Sequence, residues 1–156
     1  MKRILAAIVA VFLCAGCFAQ SAVGIMNKYK GKKGAECVNV GSMMMGVVKL
    51  FASHDDEAKN MLKPFRSIHM INLDDCDAVV KREFAADAKR LKTKGYGELM
   101  RVNDNGERIV VYTRQEGDRI KECLVVSTGD DSFLVQIKGN ATMEDIDRWI
   151  KKNAKK

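Results

Sequence analysis

Several residue types are scarce in this 156-residue sequence, and each scarcity excludes a class of protein. A single proline and 12 glycines exclude collagen-like and proline-rich low-complexity chains. Two histidines leave little material for a catalytic or metal site. The remaining composition, 30% charged and 47% hydrophobic, is that of an ordinary globular chain, which excludes wholesale disorder and a polytopic membrane protein. The length suits one domain.

The N-terminal segment has the pattern of an export signal. Lys2 and Arg3 precede an uncharged apolar run from Ile4 to Gly16. That run is shorter than the roughly 20 residues needed to span a bilayer, but it suits the core of a signal peptide. No later stretch is apolar for long enough to anchor the chain, so the sequence predicts an exported protein.

Two processing routes fit this segment. Small residues at Cys17 and Ala19 permit cleavage between Ala19 and Gln20, with residues 1–19 as the signal peptide. Alternatively, the segment from Leu13 to Cys17 resembles a lipoprotein signal that ends at residue 16 and leaves Cys17 lipidated. Lipoprotein signals usually have a large aliphatic residue at position −3 from the cleavage site, whereas Leu13 would lie at −4. We therefore favour cleavage before Gln20. The first route predicts a periplasmic or secreted protein and the second a lipid-anchored membrane lipoprotein.

Export also changes what the cysteines imply. After cleavage before Gln20, three cysteines remain, namely Cys37, Cys76 and Cys123. An odd number in an oxidising compartment permits one disulfide with one free thiol, or three unbridged thiols. A core of this size needs no disulfide, so we favour three buried, unbridged thiols.

The rest of the chain predicts an α+β domain over residues 35–150, after a basic N-terminal arm at 20–34 and before a basic tail at 151–156. The N-terminal segment is expected to be a short helix or an arm, followed by a basic loop flanked by glycines. Helices are expected from Ser42 to Phe51, from Asp55 to Leu62, from a cap at Asp74 or Asp75 to Gly95, and from a Thr142–Asp145 capping box to Ile150. Strands are expected at Cys37–Val40, Ser67–Leu73, Leu99–Val102, Arg108–Thr113, Arg119–Ser127 and Ser132–Lys138. The predicted architecture is an antiparallel four-strand meander extended by one or two N-terminal strands, with helices packed on one face.

Two of these helices carry apolar stripes that we expect to lie in the core. In the helix after Ser42, the stripe is Met44, Val47, Val48 and Phe51. The methionine run at 43–45 could form a soft-metal site or an adaptable binding face. Because only part of the run can share one helix face, we favour core filling. In the helix that ends at Gly95, the stripe is Val80, Phe84, Ala88 and Leu91.

Three stretches of the chain resemble the exported bacterial family called domain of unknown function 4252. They are Lys28 to Gly34 before the first strand, Lys94 to Met100 before the meander, and Gly139-Asn140 after its last strand. The resemblance extends roughly from Ala22 to Lys151 and rests mainly on structural glycines and turns. It implies a protein secreted by, or held in the envelope of, Gram-negative bacteria. It supplies no catalytic or binding residues.

The candidate chemical groups each have a simpler structural interpretation. His54 with the acids at 55–57 offers metal ligands, but consecutive residues at a helix start point in different directions. His69 is expected to be a packed or edge histidine. Cys76 is the best nucleophile by position, yet the neighbouring acids disfavour its thiolate, so we expect it to be inert. The Asn/Asp/Gly segments at 104–106 and 129–131 are better explained as turns than as calcium loops. We therefore predict no catalytic, metal or cofactor site.

Three function classes remain. The first is a non-catalytic envelope protein that binds another protein or a surface component, with the outer meander strand as an edge for pairing. The second is a hydrolytic or metal-dependent enzyme that uses His54, His69 and the aspartate clusters. The third is weak attachment to a membrane surface through the lysines of the two terminal segments, namely Lys28, Lys30, Lys32, Lys33, Lys151, Lys152, Lys155 and Lys156.

The distribution of charge argues against a nucleic-acid partner. The formal charge of +7 falls to +5 when Lys2 and Arg3 are removed, and the two terminal segments contribute +4 each. Residues 35–150 then hold 17 basic and 20 acidic residues, a net charge of −3. A nucleic-acid reader would carry its positive charge on the folded face. We favour the first class, an envelope interaction domain.

Overall fold

The computed structural model describes residues 20–51, 56, 60, 62–145 and 147–148. Within them, residues 143–145 and 147–148 are helical, as are 56, 60 and 62. The remaining parts of the helices expected at 55–62 and 142–150 lie outside the described residues. The named elements, in chain order, are α1 (Ala22–Tyr29), β1 (Glu36–Val40), α2 (Ser42–Phe51), β2 (Phe65–Asn72), α3 (Ala78–Lys89), β3 (Gly97–Asp104), β4 (Glu107–Glu116), β5 (Arg119–Thr128) and β6 (Phe133–Ala141).

The strands form a single antiparallel sheet in the order β1-β2-β6-β5-β4-β3. Strands β3 to β6 are consecutive hairpins, and β2 and then β1 extend the sheet beyond β6. The tight turn between β3 and β4 uses Asn105 and Gly106, both with positive φ (46° and 89°), as an Asn-Gly hairpin requires. The predicted α+β class, the four-strand meander and its extension by two N-terminal strands are confirmed.

One face of the sheet carries the core and is covered by α1 and α3. Four cross-strand neighbours on this face form a buried row across β2, β6, β5 and β4, namely Ile71, Leu134, Val126 and Val110. Ile25 and Tyr29 of α1 and Val80 and Phe84 of α3 belong to the same core cluster. The Tyr29 and Phe84 rings meet edge to face, with centroids 5.6 Å apart. Packing of these two helices on one face agrees with the prediction.

The opposite face of the sheet also carries a band of apolar residues, because each strand places at least one hydrophobic side chain there. One row crosses all six strands through the register partners Val38, Met70, Val135, Val125, Val111 and Met100. Its two ends, on the edge strands, are about half exposed, whereas the four central residues are partly buried. A sheet that is apolar on both faces needs contacts on both.

Helix α1 lies inside the segment that the sequence set apart as a basic arm. Ala22, Ile25, Met26 and Tyr29 are all buried in the core, so the apolar side of this short helix belongs to the α+β unit. The Ser21 hydroxyl caps the helix by accepting a hydrogen bond from the Gly24 N–H at 3.0 Å.

Helix α3 begins and ends at different residues from those expected. Its cap is Asp77, whose carboxylate accepts from the N–H groups of Val79 and Val80 at 2.9 Å, so the prediction of Asp74 or Asp75 is wrong. The helix ends at Lys89, not at Gly95. The physical reason is an isolated parallel β-bridge between Gln20 and Leu91. In this bridge, the backbone N–H of Gln20 donates to Arg90 O, and the backbone carbonyl of Gln20 accepts from Lys92 N.

Helix α2 turns a different side toward the protein than the one we expected. Met45 is buried, while Met44, Val47 and Val48 of the predicted core stripe are exposed. Lys49, one turn after Met45, donates to the backbone carbonyls of Lys63 and Phe65 at 3.2 and 2.7 Å. The expectation that the stripe and the methionine run fill the core is therefore wrong for Met43, Met44, Val47 and Val48, and it is confirmed for Met45.

Candidate binding surfaces

The predicted chemical groups do not converge in the described part of the chain. The ring Nδ1–H of His69 donates to Asn39 Oδ1 at 3.0 Å, across the pair of strands β1 and β2. His54 lies outside the described residues. Among the residues that are described, no group of three or more His, Cys, Asp or Glu side chains is placed to hold a metal ion.

The three cysteines are unbridged, but they are not all buried. Cys76 is buried, Cys123 is intermediate and Cys37 is exposed, so the expectation of three buried thiols is wrong for Cys37. Cys37 lies on β1, an edge strand with a neighbour on one side only. The pKa of the Cys76 thiol is raised, first by burial and then by Asp77 and Asp75, which agrees with an inert thiol. Burial and Glu122 raise the pKa of Cys123 to about 11.

One lysine of the predicted membrane-attachment set is committed to an internal contact. Lys28 Nζ donates to the carboxylate of Asp87 at 2.5 Å, and Tyr29 Oη donates to the same oxygen at 2.7 Å. Lys30, Lys32 and Lys33 are exposed, while residues 151–156 lie outside the described part of the chain. None of the helices in the described part is long and apolar enough to cross a membrane.

A second buried carboxylate, Glu122, lies on the helix-covered face of the sheet. It accepts hydrogen bonds from Arg114 on β4 and Gln136 on β6. Burial and a hydrogen bond to Glu122 raise the pKa of Tyr96 to about 12. The three donors belong to structural elements that pack together here, so we assign this network to stability of the sheet.

The largest group of exposed apolar side chains in the described residues lies on α2. We call it the α2 apolar surface; its members are Met43 (89% exposed), Met44 (56%), Val47 (41%), Val48 (37%) and Leu50 (72%). At 3.6 residues per turn these five positions span an arc of about 160°. Met45 and Lys49 occupy the opposite side, on which Met45 is buried and Lys49 donates to the carbonyl group of Phe65 at the start of β2. The apolar stripe of the helix therefore faces away from the protein.

Strand β3 offers a second, smaller apolar surface at the sheet edge. All eight of its residues are exposed, and Leu99, Met100 and Val102 are 43–49% exposed. A bulge at Leu99 breaks the pairing register with β4, and Arg101 forms an ion pair with Glu98 beside it. A bulge and charges are the devices by which proteins protect an edge strand from pairing with another chain.

A basic depression lies at the end of the sheet where β2 and β5 begin and β6 ends. It has a volume of about 570 Å³. We call it the basic basin; its cationic lining residues are Lys49, Lys63, Arg66, Arg119 and Arg148. Asp145 is the acidic residue of its lining, and one of its carboxylate oxygens accepts from Thr142 N at 2.8 Å, as in the predicted capping box. A smaller groove of about 250 Å³ lies between α3 and β4.

Sequence reasoning considered a binding face at the methionine run of α2 but favoured core filling, and it missed the basic basin. The apolar stripe of α2 was visible, but periodicity cannot tell whether a stripe faces the core or a partner. The basin residues are spread from position 49 to position 148, and only the sheet topology brings them together.

Comparison with known proteins identifies the family. No curated protein and no solved structure matches the chain. The family model described as "Domain of unknown function (DUF4252)" matches residues 29–149, which include every strand of the sheet as well as α2 and α3. The chain therefore belongs to the DUF4252 family.

Proposed function

We propose that this protein is a non-catalytic interaction domain of the bacterial cell envelope, which binds a partner protein through the α2 apolar surface. The observation that carries the proposal is the orientation of α2, which keeps five large apolar side chains exposed. Large contiguous apolar patches are uncommon on monomeric proteins and mark interaction sites.

The spacing of the exposed residues suggests how the partner binds. Met43, Val47 and Leu50 follow one another at intervals of four and three residues, which is the pattern of a helix that lies in an apolar groove. The two exposed methionines add side chains that adapt to irregular surfaces. The partner is thus expected to present a hydrophobic groove about as long as two turns of helix.

Two observations favour protein binding through α2 over strand pairing at β3 and over attachment of α2 to a membrane surface. The edge strand β3 is protected by its bulge and by the Glu98–Arg101 ion pair. Helices that lie in a membrane surface are rich in basic residues on their polar face, whereas the single lysine of α2, Lys49, is turned inward onto two carbonyl groups. A protein groove therefore fits this helix better than a lipid surface.

The envelope location rests on the N-terminal signal pattern. Cleavage before Gln20 would leave a first residue whose backbone is already bonded to Arg90 and Lys92. Detection of the mature N-terminus by mass spectrometry, together with cell fractionation, tests this part of the proposal. An uncleaved chain recovered from the cytoplasm would contradict it.

The interaction is tested by photo-crosslinking in cells. A photoreactive side chain at Met43 is expected to capture one protein, and the same side chain at Val79, an exposed apolar position on α3, is the matched control. With the captured protein purified, Val47→Asp should weaken binding at least about tenfold, because it places an unpaired charge in an apolar contact, whereas Val79→Asp should not. Equal capture at both positions, or capture of lipid alone at Met43, would refute the proposal.

A further inference from the structure

The basic basin concentrates positive charge on a domain that is acidic as a whole. Five cationic side chains and one acidic side chain line it, whereas residues 35–150 carry a net charge of −3. Positive charge gathered in a concave site raises the local concentration of anions, because the surrounding protein focuses the field. The basin is thus a local feature that the composition of the chain does not predict.

The ionic contacts of the described residues leave most of this charge available. Lys49 donates to two backbone carbonyls, which hold the ammonium group in place without neutralising it. Arg119 and Arg148 approach Asp118 and Asp145 only at 3.8 Å, and both arginines are more than 40% exposed. Such exposed pairs contribute little and exchange readily for another anion.

Asp145 is itself held by the helix that it caps. Its Oδ2 accepts from Thr142 N and from the Thr142 hydroxyl, at 2.8 and 3.0 Å. The backbone hydrogen bond from Thr142 is the main reason that its pKa is lowered. The carboxylate therefore stays close to its own helix start and offsets only part of the charge of the five cations.

The shape and the donors of the basin indicate the class of ligand. Its volume of about 570 Å³ lies within the range of roughly 300–1,000 Å³ that is common for small-molecule sites. Its lining is dominated by guanidinium and ammonium groups, and Arg66, Arg119 and Arg148 can each present a planar fork of donors to a phosphate group. Several cations around one depression suit a ligand with more than one negative charge.

We propose that the basic basin is a binding site for a phosphorylated ligand that carries at least two negative charges. The site is separate from the α2 apolar surface, because Lys49 lies on the opposite side of α2 from Met43 and Leu50. The phosphates belong either to a small soluble molecule or to a lipid headgroup, and these two sources present the same chemistry to the arginines.

The test compares two charge-reversal variants with the same change in net charge. Arg66→Glu/Arg119→Glu alters the basin at two exposed positions, and Lys32→Glu/Lys33→Glu alters the exposed loop before β1. Thermal unfolding confirms that both variants are folded. Calorimetric titration of the purified protein with pyrophosphate is the soluble arm, and sedimentation with phosphatidylcholine vesicles that contain or lack phosphatidic acid is the lipid arm.

The expected result is saturable binding in one of the two arms. The basin variant should weaken it by about tenfold or more, since two charge-assisted contacts are replaced by repulsion, and the loop variant should leave it within about twofold. Binding to pyrophosphate identifies a soluble ligand, whereas binding to phosphatidic acid vesicles alone identifies a lipid headgroup. Equal weakening in both variants, or no binding in either arm, would overturn the proposal. If the basin variant is unfolded, the single changes Lys63→Glu and Lys32→Glu, both at exposed positions, replace the two double variants, and only Lys63→Glu should weaken binding.

Discussion

Replacement of Asp87 by alanine is expected to lower the free energy of unfolding by about 2–3 kcal/mol. Asp87 is 5% exposed, and it joins α3 to α1 through Tyr29 and Lys28. When the carboxylate of Asp87 is removed, the buried hydroxyl of Tyr29 no longer has a hydrogen-bond acceptor, and this costs about 1–3 kcal/mol. The ion pair adds at most about 1 kcal/mol, because the Lys28 side chain is 44% exposed and therefore well solvated.

Single and double variants separate these contributions. Tyr29→Phe should cost only about 1 kcal/mol, since it removes the hydroxyl and leaves the carboxylate with Lys28. Tyr29→Phe combined with Asp87→Ala should cost less than the sum of the two, because the double variant leaves no buried hydroxyl without a partner. Urea unfolding at neutral pH, followed by circular dichroism, measures all three free energies. An additive double variant, or an Asp87→Ala protein within about 0.5 kcal/mol of the wild type, would refute the assignment.

The same carboxylate predicts a pH dependence. Burial alone would raise the pKa of Asp87, but the hydrogen bonds from Lys28 and Tyr29, together with the charge of Lys28, outweigh it and lower the pKa. A depressed carboxyl pKa stabilises the fold above the unfolded value of about 3.9, and this stabilisation is lost as the pH falls through the folded pKa. The difference in unfolding free energy between wild type and Asp87→Asn should therefore be constant near neutral pH and shrink below about pH 4. A difference that does not change over that range would contradict the pairing.

Two further predictions concern close packing and thiol access. Gly139→Ala should destabilise the protein by about 1–3 kcal/mol, because a Cβ at this position would lie 2.2 Å from the carbonyl oxygen of Pro64. Gly31→Ala is the control: Gly31 has open space around it, so this variant should leave the melting temperature nearly unchanged. Equal melting temperatures for the two variants would contradict this. Under native conditions iodoacetamide should label Cys37 much faster than Cys76 or Cys123, since Cys37 is exposed and the other two thiols have raised pKa values. Peptide mass spectrometry resolves the sites, and equal labelling rates would show that the burial pattern is wrong.

Local signals in the sequence were sufficient for the sheet. The Asn105-Gly106 turn and the alternation along β5 and β6 depend on neighbours a few residues away, so the meander could be predicted strand by strand. The same holds for the capping box at Thr142, in which both partners lie within one helical turn.

Long-range contacts explain where the sequence prediction was wrong. Helix α3 ends at Lys89 because the backbone of Gln20, some 70 positions earlier in the chain, bonds to Arg90 and Lys92. Helix α2 turns inward the side that carries Met45 and Lys49, and Lys49 bonds to carbonyl groups at and just before the start of β2. In both cases the deciding partner is a backbone group of a distant segment, and hydrophobic periodicity contains no information about it.

The positive charge of this chain has two separate origins, and only one of them is visible in its composition. The lysines of the terminal segments raise the formal charge, and one of them, Lys28, pairs at the protein surface with the buried carboxylate of Asp87. The basic basin arises instead from an acidic body, because the antiparallel order places the starts of β2 and β5 beside the end of β6. Net charge therefore gives no measure of anion binding here. Salt should weaken binding at the basin in proportion to the charges that the ligand contacts, and this dependence should survive removal of the terminal lysines.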